Sequence, residues 1–341
     1  MLVVGSNLRK DHPLFALRVR HAVRHGAQLS VVDSSVGDWA MPIKHQLLQN
    51  ASQWMQALGS IASAIAQEKN VAAPQGAAEA SEASLAIARS LLGGERKAVL
   101  LGNAAAHHGQ ATALLALANW IGEQTGATVG YLTEAANTVG AQFAGAHPVG
   151  SGLNAGQMLA GGLKAVLLLN TEPAFDAANG AQASAAIGQA QMVVTLSPFK
   201  ANMDISDVLL PIAPFTETSG SFVNAEGRLQ SFHAVVRPLG DTRPAWKVLR
   251  VLANVLGVPG FDFETSQDVL ARATNAPAGK LAMLPAEQLS NAVGHPPAAG
   301  VASVAEPAVA SIYQLDGLVR RATSLQLTAD ARMAAGEGVA A

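Results

Sequence analysis

The sequence predicts an α/β protein of doubly wound parallel sheets arranged as two Rossmann-like lobes. Three observations carry that expectation. Short apolar runs alternate with segments of helical spacing along most of the chain. The runs are apolar throughout instead of alternating with polar residues, as strands covered on both faces require. Ala and Gly are abundant and aromatics make up only 4% of residues, which suits close helix–sheet packing better than a β-sandwich.

In chain order the strand candidates are Leu2–Val4, Leu29–Val32, Ala98–Leu101, Thr128–Tyr131, Ala165–Leu169, Met192–Leu196 and Val208–Leu210. Pro13–His25 and Gln110–Thr125 read as intervening helices. Pro13 suits a first helical turn, and Gly26 and Gly126 supply stops. Two stretches break the rhythm. Residues 71–84 form a small-residue, low-complexity insertion between lobes, and Asn275–Pro307 is rich in Ala and Pro and reads as extended. The expected division is therefore an α/β domain over 1–262, a linker over 263–310 and a helical docking tail over 311–341.

Composition narrows the function classes. The chain has 341 residues, of which 50% are hydrophobic and 13% charged, with a formal charge of −2. So low a charge fraction suits a surface partly covered by other polypeptides. The near-zero balance gives no reason to expect nucleic acid or an anionic membrane as partner. With no cysteine, disulfides, thiol catalysis and cysteine-ligated iron–sulfur clusters are excluded within these residues. The uncharged runs over 98–122 and 135–163 contain His, Asn, Gln and Gly, too polar for a bilayer span. A first strand that begins at the second residue reads as part of a longer polypeptide.

The loop Gly5-Ser6-Asn7 joins the first strand to the first helix, where free N–H groups can take a phosphate. Ser6 and Asn7 are in position to reach a nucleotide, and Asp33 ends the next strand where a ribose-binding acid would stand. The same residues also simply make turns, and both readings remain open. Gly150-Ser151-Gly152-Leu153-Asn154-Ala155 matches a dinucleotide fingerprint, with Glu172 downstream, but the clear strand follows it instead of preceding it. A Gly-rich turn is the better reading. His21 and His25 have ligand spacing, yet no carboxylate or thiol completes a set, and the adjacent His107 and His108 point apart. Glu217 and Glu226 lack any nucleophile beside them. No catalytic residue and no metal ligand is therefore assigned.

Taken together, several motifs resemble the molybdopterin oxidoreductase family. Val3-Val4-Gly5-Ser6-Asn7 with His12-Pro13 looks like the opening of one of its cofactor-domain lobes. Asp207–Pro211, Glu217 and Gly220–Gln230 resemble its late motif, which Arg237–Trp246 continues into a helix over 247–256. The resemblance covers roughly residues 2–257 and implies lobes of the formate dehydrogenase/DMSO reductase type. Two departures stand out. Asp33-Ser34-Ser35 replaces the family's Asp-Pro-Arg, so an arginine that recognises a dinucleotide is missing, and no β-rich closing domain follows the α/β region.

Leu167–Pro173, Asn154–Leu159 and the tail residues Tyr313–Asp316, Val319–Ala322 and Ser324–Thr328 are similar to the large iron–sulfur subunit of bacterial NADH–quinone oxidoreductase (complex I). That similarity implies a structural role in the peripheral arm, at the cytoplasmic face of the inner membrane without direct insertion. It implies other peripheral-arm subunits as partners, together with an iron–sulfur N-terminal half of the same subunit. No cofactor is expected in this chain, with Ser6, Asn7 and Asp33 a vestigial nucleotide site, while FMN and iron–sulfur clusters are expected elsewhere in the complex. The alternative is a fragment of an active molybdopterin enzyme of formate dehydrogenase or nitrate reductase type.

Overall fold

The computed structural model describes residues 1–277, 280–285, 289–293 and 310–334, which fall into two compact units. The first comprises Met1–Ala136 with Ala286–Val309, the second Asn137–Pro285 with Ala310–Ala341. All seven expected strands form.

In the first unit, β1 (Leu2–Val4), β2 (Ser30–Asp33), β3 (His45–Leu48), β4 (Ala98–Leu101) and β5 (Thr128–Tyr131) make one parallel sheet in the order β3-β2-β1-β4-β5. Alternation along β1 sorts its side chains between two cores. Leu2 and Val4 join Trp54, Leu58, Ile61, Ile65, Leu114 and Ile121 on one face. Val3 joins Leu8, Val19, Leu29 and Trp39 on the other. Each such fully buried side chain contributes roughly 1.5–3 kcal/mol relative to exposure. The helices Trp54–Lys69, Glu82–Gly93 and Ala111–Thr125 cover the first face, and Pro13–Arg24 supplies Ala16 and Val19 to the second.

The low-complexity stretch 71–84 departs from the expectation of an insertion between lobes. It lies wholly in the first unit and joins two core helices. Gly59 lets it pack closely, since a Cβ there would stand 2.3 Å from the Gly76 carbonyl oxygen. Its last residues begin the next helix, with Ser81 and Ser84 forming a reciprocal capping box.

In the second unit, β6 (Ala165–Leu169), β7 (Met192–Ser197) and β8 (Val208–Pro211) form a parallel sheet in that order. Its core is small, built on Leu168, Ile187 and Val193. Coverage of one face is incomplete here: Leu167 and Leu169 are 46% and 42% exposed, beside the exposed Met192 and Val208, while Leu196 on the same face is buried. The late motif folds as an antiparallel hairpin of β9 (Gly220–Val223) and β10 (Leu229–Phe232). Asn224 Oδ1 accepts from the Glu226 and Arg228 amides, and Gly227 takes a positive φ to close the turn.

The helix Ala245–Val255 follows, then Ser266–Thr274. The latter falls inside the expected linker 263–310, ahead of the stretch Asn275–Pro307 read as extended. Thr265 and Asp268 cap that helix reciprocally, a signal present in the sequence as Thr-x-x-Asp. Further along, the Asn291 carbonyl accepts from Asn119 Nδ2 at 2.9 Å and Asn291 Nδ2 donates to the Val129 carbonyl at 3.0 Å, so this part of the linker belongs to the first unit. The Ala/Pro-rich residues 294–309 and the end of the tail, 335–341, lie outside the described residues.

Candidate functional site

In an open parallel sheet the chain reverses its winding where neighbouring strands lead to opposite sides, and ligands favour the carboxyl ends of the strands there. In the first unit that point lies between β1 and β4. The ends of β1 and β4 are drawn together by Gly102 N–H donating to the Val4 carbonyl at 2.8 Å and Ala104 N–H donating to the Gly5 carbonyl at 3.1 Å, while Gly5 N–H donates to Val32 of β2 at 2.9 Å. Contact is so close that a Cβ at Gly102 would stand 2.1 Å from Ser6 Cβ.

Two donors of the β1 loop are engaged within it. Ser6 Oγ donates to Asp11 Oδ2 at 3.1 Å, and the Asn7 amide donates to the same oxygen at 3.0 Å. Asp11 ends the one-turn helix Leu8–Asp11, so its carboxylate folds back over the helix start and takes the place of an external anion. The nearby Arg9 is paired with Asp38.

Asp33 stands at the end of β2, as expected. Burial pushes its carboxyl above the usual carboxylate range, and the charge of Asp11 acts in the same direction, against hydrogen bonds from the Ser34 and Ser35 amides. His12 is held below the ordinary imidazole value by burial, with Asp11 opposing. The structure therefore brings Ser6, Asn7 and Asp33 to one edge and adds Asp11, which the sequence motifs do not single out. Three buried amide oxygens at this edge, those of Asn7, Gln49 and Asn103, have no hydrogen-bonding partner. His12 Nε2 and Gln46 Nε2 are likewise buried without a partner, so the unmet groups include donors as well as acceptors.

The remaining candidates resolve into architecture. His108 is a core residue, stacked on Trp54, with Nε2 2.9 Å from the Ala51 carbonyl and Nδ1 accepting from the Gln110 amide. His107 pairs with Glu134 at 2.6 Å. His25 Nδ1 lies 2.8 Å from the His21 carbonyl, and among the described residues no cluster of His, Cys, Asp or Glu could hold a metal. Glu217 accepts from the Leu239 amide at 2.9 Å, fixing a loop, while Glu226 is exposed in the hairpin turn. Gly150–Ala155 is an exposed turn before the one-turn helix Ala155–Met158, ahead of β6, and Glu172 is engaged by Arg321.

The model of the family described as molybdopterin oxidoreductase matches residues 1–255. The chain belongs to the molybdopterin oxidoreductase family. Among curated relatives, the probable oxidoreductase YjgC of Bacillus subtilis (strain 168) is 37% identical over 70 residues, 20% of this chain and 7% of that protein. A putative formate dehydrogenase of Staphylococcus aureus (strain bovine RF122 / ET3-1) is 38% identical over 79 residues, 22% of this chain and 8% of that protein. The matched segments thus span less than a tenth of those relatives' lengths. Among solved structures, acetylene hydratase from Pelobacter acetylenicus superposes with a TM-score of 0.59 at 15% identity, covering 80% of this chain and 49% of that one. At that identity the likeness concerns the fold, and it agrees with a molybdopterin oxidoreductase α/β architecture. Among the described residues no helix is long and apolar enough to cross a membrane.

Proposed function

We propose that this molybdopterin oxidoreductase domain is a structural part of the large iron–sulfur subunit in the peripheral arm of NADH–quinone oxidoreductase. In this reading it supports electron transfer from NADH to quinone at the cytoplasmic face of the inner membrane, and it holds neither molybdenum nor an iron–sulfur cluster. The observation that carries the reading is the Asp11 carboxylate on the Ser6 and Asn7 donors. A dinucleotide phosphate needs those donors free and a positive surrounding. This edge instead offers two carboxylates, Asp11 and Asp33, close enough for the charge of one to raise the other's pKa. Ser34-Ser35 supplies no arginine in compensation. The paired carboxylates and the missing arginine argue against the phosphates of a molybdopterin dinucleotide at this edge.

Two further features support a scaffold. Without cysteine the chain offers no thiolate to an iron–sulfur cluster. The open face carrying Leu167, Leu169, Met192 and Val208 is apolar surface of the kind that a neighbouring subunit covers. FMN and iron–sulfur clusters then reside on other parts of the complex, including the N-terminal half of the same subunit.

The second reading, a part of an active formate dehydrogenase-like enzyme, is favoured by the names of the Staphylococcus aureus relatives. The test is to tag the full-length parent in its native host and purify it from gently solubilised membranes. Co-purifying NADH oxidation with FMN and iron–sulfur signals supports the first reading. Formate oxidation by the isolated polypeptide overturns it.

A further inference from the structure

The carboxyl end of the second sheet is filled by a segment far away in sequence. β6 runs into Asn170-Thr171-Glu172 and the one-turn helix Pro173–Asp176, and β7 runs into Pro198 and Phe199. Arg321 forks onto Glu172, with Nη1 donating to Oε1 at 2.8 Å and Nη2 donating to Oε2 at 2.9 Å. Its guanidinium carbon lies 4.1 Å over the Phe199 ring. Arg320 donates to Asp176 Oδ1 at 2.9 Å and lies 4.7 Å over Phe175. Two cations thus meet two carboxylates and two ring faces, with the Arg320 and Glu172 side chains each only 11% exposed.

The segment carrying the arginines is shaped for this contact. Ser311 caps Ile312–Leu315, and Gln326 Nε2 donates to the Tyr313 carbonyl at 3.1 Å and to the Val319 carbonyl at 2.8 Å, folding the segment on itself. Arg321 Nη1 also donates to the Gly317 carbonyl at 2.9 Å, and a Cβ at Gly317 would lie 3.5 Å from the Phe199 ring and 3.8 Å from Glu172 Oε1. On the sheet side, Asp176 Oδ2 accepts from the Glu172 amide at 2.7 Å, and Asn202 Nδ2 donates to the Thr171 carbonyl at 2.9 Å. Both sides of the contact are therefore preorganised.

We propose that the carboxyl end of β6 and β7 is a docking site for a paired-arginine peptide, with Ser311–Gln326 of this chain as its resident occupant. The segment covers the carboxyl ends of β6 and β7, in a sheet whose strands follow one another in sequence order. The proposal is independent of whether the parent belongs to complex I. Its occupant follows from the pairing itself. The acidic, aromatic-lined edge selects a guanidinium, and Arg320 and Arg321 are adjacent in the chain, so one short peptide delivers both.

The test is hydrogen exchange on the full chain, read on peptides from 312–326, in the wild type, Glu172→Arg, Arg321→Glu and the combined variant. Each single reversal leaves a half-buried charge unpaired and lowers protection by roughly a hundredfold, while the combined variant restores most of it. Unchanged protection in the single variants, or no recovery in the combined one, overturns the proposal. A second arm keeps the question open to refutation if the single variants unfold. A fluorescent peptide of residues 311–334 is titrated onto the full chain carrying Arg320→Ala and Arg321→Ala. Saturable binding that disappears when the peptide's own arginines are replaced supports the site. No saturable binding to this variant, with exchange in β6 and β7 unaltered, overturns it. Wild-type protection that appears only with concentration-dependent dimers overturns docking within one chain.

Discussion

Asp11 accepts two hydrogen bonds through one carboxylate oxygen, from Ser6 Oγ at 3.1 Å and from the Asn7 amide at 3.0 Å. This carboxylate ties the β1 loop to the one-turn helix that follows it. Replacing Asp11 with Ala strands both donors, and the half-buried setting makes that loss about 1–3 kcal/mol of unfolding free energy, measured by urea denaturation. Asp11→Asn retains part of it. A variant as stable as the wild type contradicts the assignment.

Asp33 yields a pH dependence of definite sign. Its folded pKa is raised above the ordinary value of 3.8, mainly by burial. The folded state therefore binds the proton more tightly than the unfolded state. That contribution to stability is fully present below pH 3.8 and is lost as pH rises through the folded value. Asp33→Asn removes the buried charge, so the variant gains stability over the wild type at neutral pH, and the gain shrinks as pH falls toward 3.8. Paired melting curves from mildly alkaline to acidic pH check this; a difference that grows with acidity contradicts it.

Gly102 tests the contact between strand ends. A side-chain carbon there would stand 2.1 Å from Ser6 Cβ and 2.4 Å from the Gly5 carbonyl oxygen. Gly102→Ala forces the β1 and β4 loops apart at a cost of at least about 2–3 kcal/mol by the overpacking range. Gly126→Ala is the comparison, because nothing lies within 4 Å and only its positive φ is strained. That change costs about 1 kcal/mol. Equal destabilisation of the two variants contradicts the proposed crowding.

The capping box at Thr265 offers a check on the helix inside the expected linker. Thr265→Ala removes the side chain that accepts from the Asp268 amide and costs about 0.5–2 kcal/mol of local helix stability. Hydrogen bonds from Thr265 and Glu264 hold the Asp268 carboxyl below its ordinary value. Its stabilising effect is therefore present above pH 3.8 and is lost as pH falls through the folded value. Exchange rates of the 266–274 amides in the two proteins provide the measurement; identical rates contradict the capping role.

Much of the fold is legible in the sequence because parallel strands leave a plain signature. Apolar runs such as Ala98–Leu101 and Ala165–Leu169 are strands at the expected residues, and Pro13 opens its helix as expected. The strand His45–Leu48 escapes that reading because it lies at the sheet edge and mixes His and Gln with its leucines. The helix Trp54–Lys69 escapes it because Ala, Gly and Ser blur its period, although those small residues are what allow its tight packing. At the site, strand-end position alone suffices to find Ser6, Asn7 and Asp33. It does not reveal Asp11, although a Ser-Asn start with an acid one turn later is a local capping signal. The pairing of Glu172 with Arg321 joins residues 149 apart, and no local pattern announces it.

The proposed role of this molybdopterin oxidoreductase domain is that of a scaffold. It is tested most directly by quantifying molybdenum and pterin in the purified full-length parent, by elemental analysis and by fluorescence of the oxidised pterin. Neither is expected in stoichiometric amount. One molybdenum and its pterin per polypeptide would contradict it.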